Sequence, residues 1–326
     1  MLILTRSDIA SVLEMEDVID VVEKVHADAS AGESVNFGSL SGSLPSSTAL
    51  MIPVAAIFAG GAGGVKLLTD TPDNQDRELP RQISTITWVN TVTGGCDAFL
   101  DGAMITQLRT AAASAVAMRL LAREDATVLG FIGAGSLAKF RLGAIRAVLP
   151  IRRVVVWSRS QETASGFLRY AEGEGIEAEI LASPQETTSA SKILCTLTPS
   201  REPLVFGRWF NPGLHVNVVE SPPRQEYREI DSDGFHRSRI VVDSLSEVPQ
   251  KSGDLYFPFT EGAIKQEHFE EELGQILTGK RPRRTSNAEI TLFKSVGIAI
   301  QDSATARLAV SIARQRGIGT EVDVTL

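Results

Sequence analysis

Apolar positions early in the chain keep two different rhythms. Over 16–29 they recur at Val18, Ile19, Val21, Val22 and Val25, near a 3.6-residue period, which predicts an amphipathic helix. A short helix capped by Ser7 or Asp8 precedes it. The Gly- and Ser-rich stretch 32–47 reads as a loop, and three runs, 49–58, 64–68 and 83–89, read as strands. Between the last two, the polar segment 69–80 holds Pro72, Asn74 and Pro80. It is long for a plain connection and is a candidate for lining a site. Thr93-Gly94-Gly95 predicts a hairpin turn into a strand at 96–100, and the Ala-rich 105–123 predicts a helix.

The pattern then becomes a strand–helix alternation. Strands are expected at 126–132, 154–157, 177–181, 192–197, 215–219 and 240–242, with helices at 137–149 and 161–173. Strands separated by helices of this length imply a parallel sheet covered on both faces. An apolar run at 290–293 and Ser295-Val296-Gly297 lead into a long helix, 298–316, stopped by Gly317.

Length and composition narrow the class. At about 150 residues per domain, 326 residues suggest two. Usage is ordinary for a globular chain, with 43% hydrophobic and 22% charged residues. Forty acidic against 32 basic side chains leave a net charge of −8, which argues against nucleic-acid or anionic-membrane partners. Under that balance the basic run 280–284 reads as a solvated loop. No membrane span or signal peptide is read, and Cys96 and Cys195 lack CxxC spacing, so a cytoplasmic protein without disulfides is expected. His26, His215, His236 and His268 show no metal-ligand spacing, and no metal is expected.

The strongest motif is Gly133-Ala134-Gly135-Ser136-Leu137-Ala138, directly after an apolar strand and opening a helix. Gly133 permits the tight turn, Gly135 allows backbone approach to a pyrophosphate, and Ala138 allows close helix–strand packing. The helix N-terminus adds free donors and partial positive charge. The next strand ends in Ser158-Arg159-Ser160, where an NAD site usually carries a carboxylate. A guanidinium between two hydroxyls suits a ribose 2′-phosphate, so NADP(H) is favoured over NAD(H). Thr196 and Thr198 follow a sheet strand and border the expected cofactor cleft. Outside this region, Lys66 stands inside a glycine-led strand and must either reach water or serve a polar cleft. Arg109, near the start of a helix, opposes the helix dipole unless an anion is recruited there, and a substrate carboxylate would be such an anion.

Taken together, Gly64-Val65-Lys66, the segment with Asn74 and Pro80, Leu100-Asp101-Gly102, Thr106-x-x-Arg109-Thr110, Phe131-Ile132-Gly133-Ala134-Gly135, His215-Val216-Asn217 and the run 295–302 resemble the ornithine cyclodeaminase/mu-crystallin family over nearly the whole chain. The resemblance implies an α/β fold: a Rossmann NAD(P)-binding domain, 113–299, and a second α/β substrate-binding and dimerisation domain, 1–112 with 300–326. It further implies a homodimer and a small imino- or amino-acid substrate. Lys66 and Arg109 match the residues that contact that substrate, with Asn74 beside them. Val218 and Gly297 join the cofactor set, and Asp302 matches a position near the nicotinamide.

Two departures bear on the chemistry. After His215-x-Asn217 the family usually carries an Asp as candidate base; this chain has none there, and Glu220 is nearby. The early loop, 34–44, lacks the basic residue that adds a second hold on the carboxylate. Oxidising an amine needs a base, whereas reducing an imine needs a proton donor. The expectation is therefore an NADPH-dependent reductase of a 2-imino acid, with Lys66 and Arg109 as catalytic residues. A cyclodeaminase-type lyase releasing ammonia and a protein that binds NADPH and a small ligand without turnover are the alternatives.

Overall fold

The computed structural model describes residues 1–44, 46–219 and 224–324. In chain order the elements begin with β1 (Leu2–Leu4), α1 (Arg6–Val12), α2 (Met15–Ala31), β2 (Ser34–Phe37), β3 (Leu50–Phe58), β4 (Ala62–Asp70), β5 (Gln82–Asn90), β6 (Cys96–Asp101) and α3 (Gly102–Leu121). Then follow β7 (Val128–Ile132), α4 (Ser136–Arg146), β8 (Arg153–Trp157), α5 (Gln161–Gly173), β9 (Glu177–Ile180), α6 (Pro184–Ala190), β10 (Ile193–Thr196) and β11 (His215–Val218). The rest are α7 (Ser232–His236), β12 (Arg239–Val242), α8 (Val248–Lys251), α9 (Gly253–Thr260), β13 (Glu271–Glu272), α10 (Leu273–Leu277), β14 (Thr291–Lys294), α11 (Ala299–Arg316) and β15 (Thr320–Glu321). The chain divides into two compact units, Met1–Thr110 with Ile298–Leu326, and Ala111–Gly297.

Two local expectations change. Thr5, rather than Ser7 or Asp8, caps α1: its hydroxyl accepts from Asp8 N and the Asp8 carboxylate accepts from Thr5 N, a reciprocal capping box. The stretch expected as loop contains β2, because Val35 and Phe37 alternate and the edge of β3 supplies hydrogen-bond partners that glycine and serine content conceals.

The first unit carries a seven-stranded sheet in the order β15-β1-β6-β5-β4-β3-β2, antiparallel except where β1 joins β6. Cross-strand partners share a face, so the register sorts the side chains. Lys66 pairs with Val54 and Ile86, and Gly64 with Ala56 and Trp88. Ile52, Ala56, Ile86, Trp88 and Leu100 on that face are buried, and α11 packs on it against β3, β4 and β5. The opposite face presents Phe37, Ile57, Val65, Leu67, Ile83 and Phe99, each 36–50% exposed. Lys66 thus points to the covered side.

The second unit holds eight parallel strands in the order β13-β12-β14-β11-β10-β7-β8-β9. Its central strands β7, β8, β10 and β12 are near-continuous apolar runs, as strands buried on both faces require, whereas the edge strands β9 and β13 carry glutamates. Phe131, Val154, Val156 and Phe167 fill one core; Val216, Val218, Ile240 and Leu292 fill the other. The chain steps outward from β7 to β9, then returns to the other side of β7 with β10. That reversal is the switch point at which Rossmann-type sheets bind ligands. The α/β expectation, a Rossmann domain plus a second α/β unit, holds. Among the described residues no helix is long and apolar enough to cross a membrane.

Candidate functional site

Lys66 neither reaches water nor stands alone. Its side chain is 4% exposed, and its ammonium donates to Asp302 Oδ1 (3.0 Å), Asp302 Oδ2 (3.1 Å) and Thr106 Oγ1 (2.9 Å). Gly64, on the same face of β4, allows this: a Cβ there would stand 2.4 Å from Ser303 Oγ, so only glycine lets α11 come this close. Asp302 is the neighbour of Ser303 and is itself buried. Burial pushes its carboxyl pKa up, but the Arg109 and Lys66 cations outweigh that and hold it below the usual carboxylate range. Asp302 is thus an anion between two cations.

Arg109 supplies the second cation. The dipole argument for it fails, since α3 begins at Gly102 and Arg109 stands about two turns in, beyond the reach of the first-turn field. Its counter-anion is in the chain: Nε donates to Asp302 Oδ1 (2.9 Å) and Nη1 to Gln301 Oε1 (2.9 Å), leaving Nη2 outside both contacts. Because Gln301 Oε1 accepts from Arg109, its Nε2 donates to His26 Nε2 (2.9 Å). His26 is accordingly neutral, and burial pushes its pKa down to about 4. Asn74, expected to touch substrate, is buried and donates Nδ2 to Pro80 O (3.0 Å), folding 69–80 back on itself. Arg81 staples the base of that segment to Asp70 through Nε (2.7 Å) and Nη2 (3.1 Å).

In the second unit, Gly133 follows β7 at φ +105°, a conformation open mainly to glycine, and a Cβ there would meet Leu197 O at 2.6 Å. Gly133 N donates to Trp157 O (2.8 Å), which aims the turn. Gly135 is the N-cap of α4, exposed, with nothing within 4 Å of a notional Cβ and no side chain capping the helix. Ser136 is exposed, Leu137 half-buried and Ala134 buried beneath them. An open glycine corner before uncapped helix donors fits the pyrophosphate of a dinucleotide. At the end of β8, Arg159 is exposed. Ser160 is the N-cap of α5, accepting from Thr163 N (3.2 Å), and Ser158 Oγ accepts from Ser160 N (3.3 Å).

Other expected residues have protein partners. Thr196 Oγ1 donates to Glu229 Oε2 (2.9 Å), and Thr198 donates N and Oγ1 to Glu229 Oε1 (2.7 and 2.8 Å). Gly297, at φ +75°, gives its N–H to Asp243 Oδ2 (2.8 Å), which also accepts from Ser295 Oγ and Val296 N. Val218 closes β11 fully buried. His215 is structural, its Nδ1 2.9 Å from Thr291 Oγ1. Burial pushes the Cys195 thiol up to about 12, an inert core group. Glu220 lies outside the described residues. Glu229, Asp243 and Gln301 went unread because single polar residues carry no periodic or spacing signal.

The family model for the ornithine cyclodeaminase/mu-crystallin family matches residues 1–316. An alanine dehydrogenase of Archaeoglobus fulgidus is 31% identical across 98% of both chains. The Thermococcus litoralis Δ1-pyrroline-2-carboxylate reductase, solved with NADH and L-proline, superposes with a TM-score of 0.95 at 35% identity, covering 99% of this chain and all of that one. An archaeal alanine dehydrogenase dimer with bound NAD superposes with a TM-score of 0.95 at 29% identity, covering 100% of this chain and 99% of its own. With the folds, glycine turn and buried cationic pair in place, this chain belongs to the ornithine cyclodeaminase/mu-crystallin family.

Proposed function

We propose that this protein reduces a 2-imino acid to the corresponding amino acid, with Lys66 and Arg109 as its catalytic and substrate-binding residues. It is an NAD(P)-dependent oxidoreductase acting on C=N or CH–NH bonds, like the relatives named above. The observation that carries the finer reading is the convergence of Lys66 Nζ and Arg109 Nε on one buried carboxylate, 3.0 and 2.9 Å away. Two cations already arranged around one carboxylate suit recognition of a second on the substrate, and Arg109 Nη2 is the donor outside the internal pairing. NAD(P)H, when bound, would supply the hydride needed at the imine carbon. Lys66, its ammonium held by Asp302 and Thr106, delivers a proton to the imine nitrogen and regains one from water that enters as the product leaves. Gly133, Ala134, Gly135, Ser136 and Leu137 hold the pyrophosphate, and Thr196, Thr198, Val218 and Gly297 shape the same edge of the sheet.

Within this reading NADPH is preferred to NADH, through Arg159 and the lack of a carboxylate at the end of β8. The two solved relatives were determined with NADH and NAD, so the preference rests on this chain's own residues. The exposed apolar sheet face is covered by a second copy of the chain, giving a homodimer. The test is oxidation of NADPH and NADH with pyrroline-2-carboxylate, piperideine-2-carboxylate and pyruvate plus amines. Turnover on this panel, with Arg159→Ala closing the NADPH advantage, is expected. No turnover on any imine, or ammonia release from a diamino acid without net change in NADPH, would overturn the reductase in favour of binding or lyase function.

A further inference from the structure

Beneath the glycine turn of the second unit lies a chain of buried charges that the proposed reaction does not use. Glu229 is fully buried, and its carboxylate receives the Thr196 hydroxyl and both the N–H and hydroxyl of Thr198. Its own N–H donates to Asp254 Oδ1 (2.6 Å), and Asp254 Oδ2 accepts from Lys294 Nζ (3.0 Å). Asp254 and Lys294 are buried as completely. This is an expensive arrangement to bury, and its output is mechanical. The peptide it grips, Leu197–Thr198, is the one that packs on Gly133: a notional Cβ on Gly133 lies 2.6 Å from Leu197 O and 3.1 Å from Thr198 Cγ2.

We propose that Glu229 is the positioning residue of the dinucleotide turn, its ionised carboxylate clamping Leu197–Thr198 against Gly133 and so setting dinucleotide affinity. The proposal rests on the dinucleotide reading given above. It goes beyond it in assigning control to a residue that touches no ligand. As a carboxylate, Glu229 can accept all three donors; protonated, it must donate one hydrogen itself and holds them less well. Burial and the neighbouring Asp254 raise its pKa to about 7, against the opposing pull of Lys294 and of the Thr198 hydrogen bonds. The Cys195 thiol on β10, neutral in this core, lies in the field of both Glu229 and Arg141 of α4. The clamp therefore loosens as pH falls through neutrality.

The experiment measures dissociation constants of NADH and NADPH by nucleotide fluorescence from pH 6 to 8 for wild type, Glu229→Gln and Thr198→Val. The readout is the variant-to-wild-type ratio at each pH, in which titration of the ligand cancels. For Glu229→Gln the ratio is expected to be on the order of tenfold at pH 8 and to shrink toward one at pH 6, where the wild-type group is itself uncharged. Thr198→Val, which deletes one donor and keeps the carboxylate, serves if the glutamine variant does not fold; its ratio is smaller and shrinks the same way. A ratio near one throughout, or a large ratio that ignores pH, overturns the proposal, the second outcome marking a purely structural role. If wild type binds neither nucleotide, the dinucleotide reading itself falls and takes this inference with it.

Discussion

Gly64 and Ser303 are in contact so close that a single added methyl group has no room: the notional Cβ lies 2.4 Å from Ser303 Oγ and 2.8 Å from Ser303 Cβ. Because Ser303 is 1% exposed and short, it cannot swing aside. Gly64→Ala is therefore expected to cost about 1–3 kcal/mol through overpacking. It should also displace Asp302 from Lys66. Urea denaturation checks the first effect and kcat the second; an alanine variant as stable and active as wild type would show that α11 does not need this approach.

Asp302 separates two buried cations. Asp302→Asn leaves Lys66 and Arg109 without their counter-charge, at a cost of about 3–5 kcal/mol. With its pKa held low, Asp302 contributes its full stabilisation above the ordinary carboxylate range, and the contribution is lost only as pH falls below that range. The measurement is unfolding free energy at neutral pH, and a loss under about 1 kcal/mol would mean that the pair is solvated in solution.

Lys66→Met removes the proposed proton donor without removing its stem. The expected result is a fall in kcat of about a hundredfold or more, with nucleotide affinity unchanged. Arg109→Lys should instead raise KM for the imino acid, since an ammonium cannot reproduce a forked guanidinium contact. Steady-state kinetics separates the two, and equal losses in KM and kcat for both variants would contradict the assigned division of roles.

His26 and His215 make the fold acid-labile. Burial lowers both, to about 4 and about 3, with Arg284 also lowering His215. Unfolded histidine takes up its proton near 6.5. The stabilisation from keeping each ring neutral is present above that value and drains away as pH falls toward 4. For His26 alone the full loss is about 3 kcal/mol. Urea midpoints at pH 7, 5.5 and 4 should decline steeply and decline less in His26→Gln; parallel slopes would refute the assignment.

The apolar outer face of the first sheet predicts association. Val65 and Phe99 share that face through Thr87, which pairs with both. Val65→Asp with Phe99→Asp should convert a dimer into monomers in sedimentation velocity while leaving the circular dichroism intact. A wild-type monomer at micromolar concentration would dispose of the dimer.

Much of the architecture was written in local pattern. The spacing of apolar residues located β3 to β11 to within about two residues, since a strand with one covered face alternates and a strand covered on both leaves an apolar run. The glycine turn after β7 could be read because backbone chemistry there admits few residues. β1, β2 and β13 escaped, being only two to four residues long and dependent on neighbours for their hydrogen bonds. The sequence by itself also placed Lys66 in a strand and Arg109 in a helix, and marked both as cations needing an explanation. What they are paired with was decided by tertiary structure alone. Lys66 and Asp302 stand 236 positions apart, and no periodicity reaches across that interval. The covered face of a sheet, and a glycine that lets one helix approach it, brought the carboxylate to the lysine. Glu229 met Thr198 in the same way, because electrostatic partners are chosen by proximity in space.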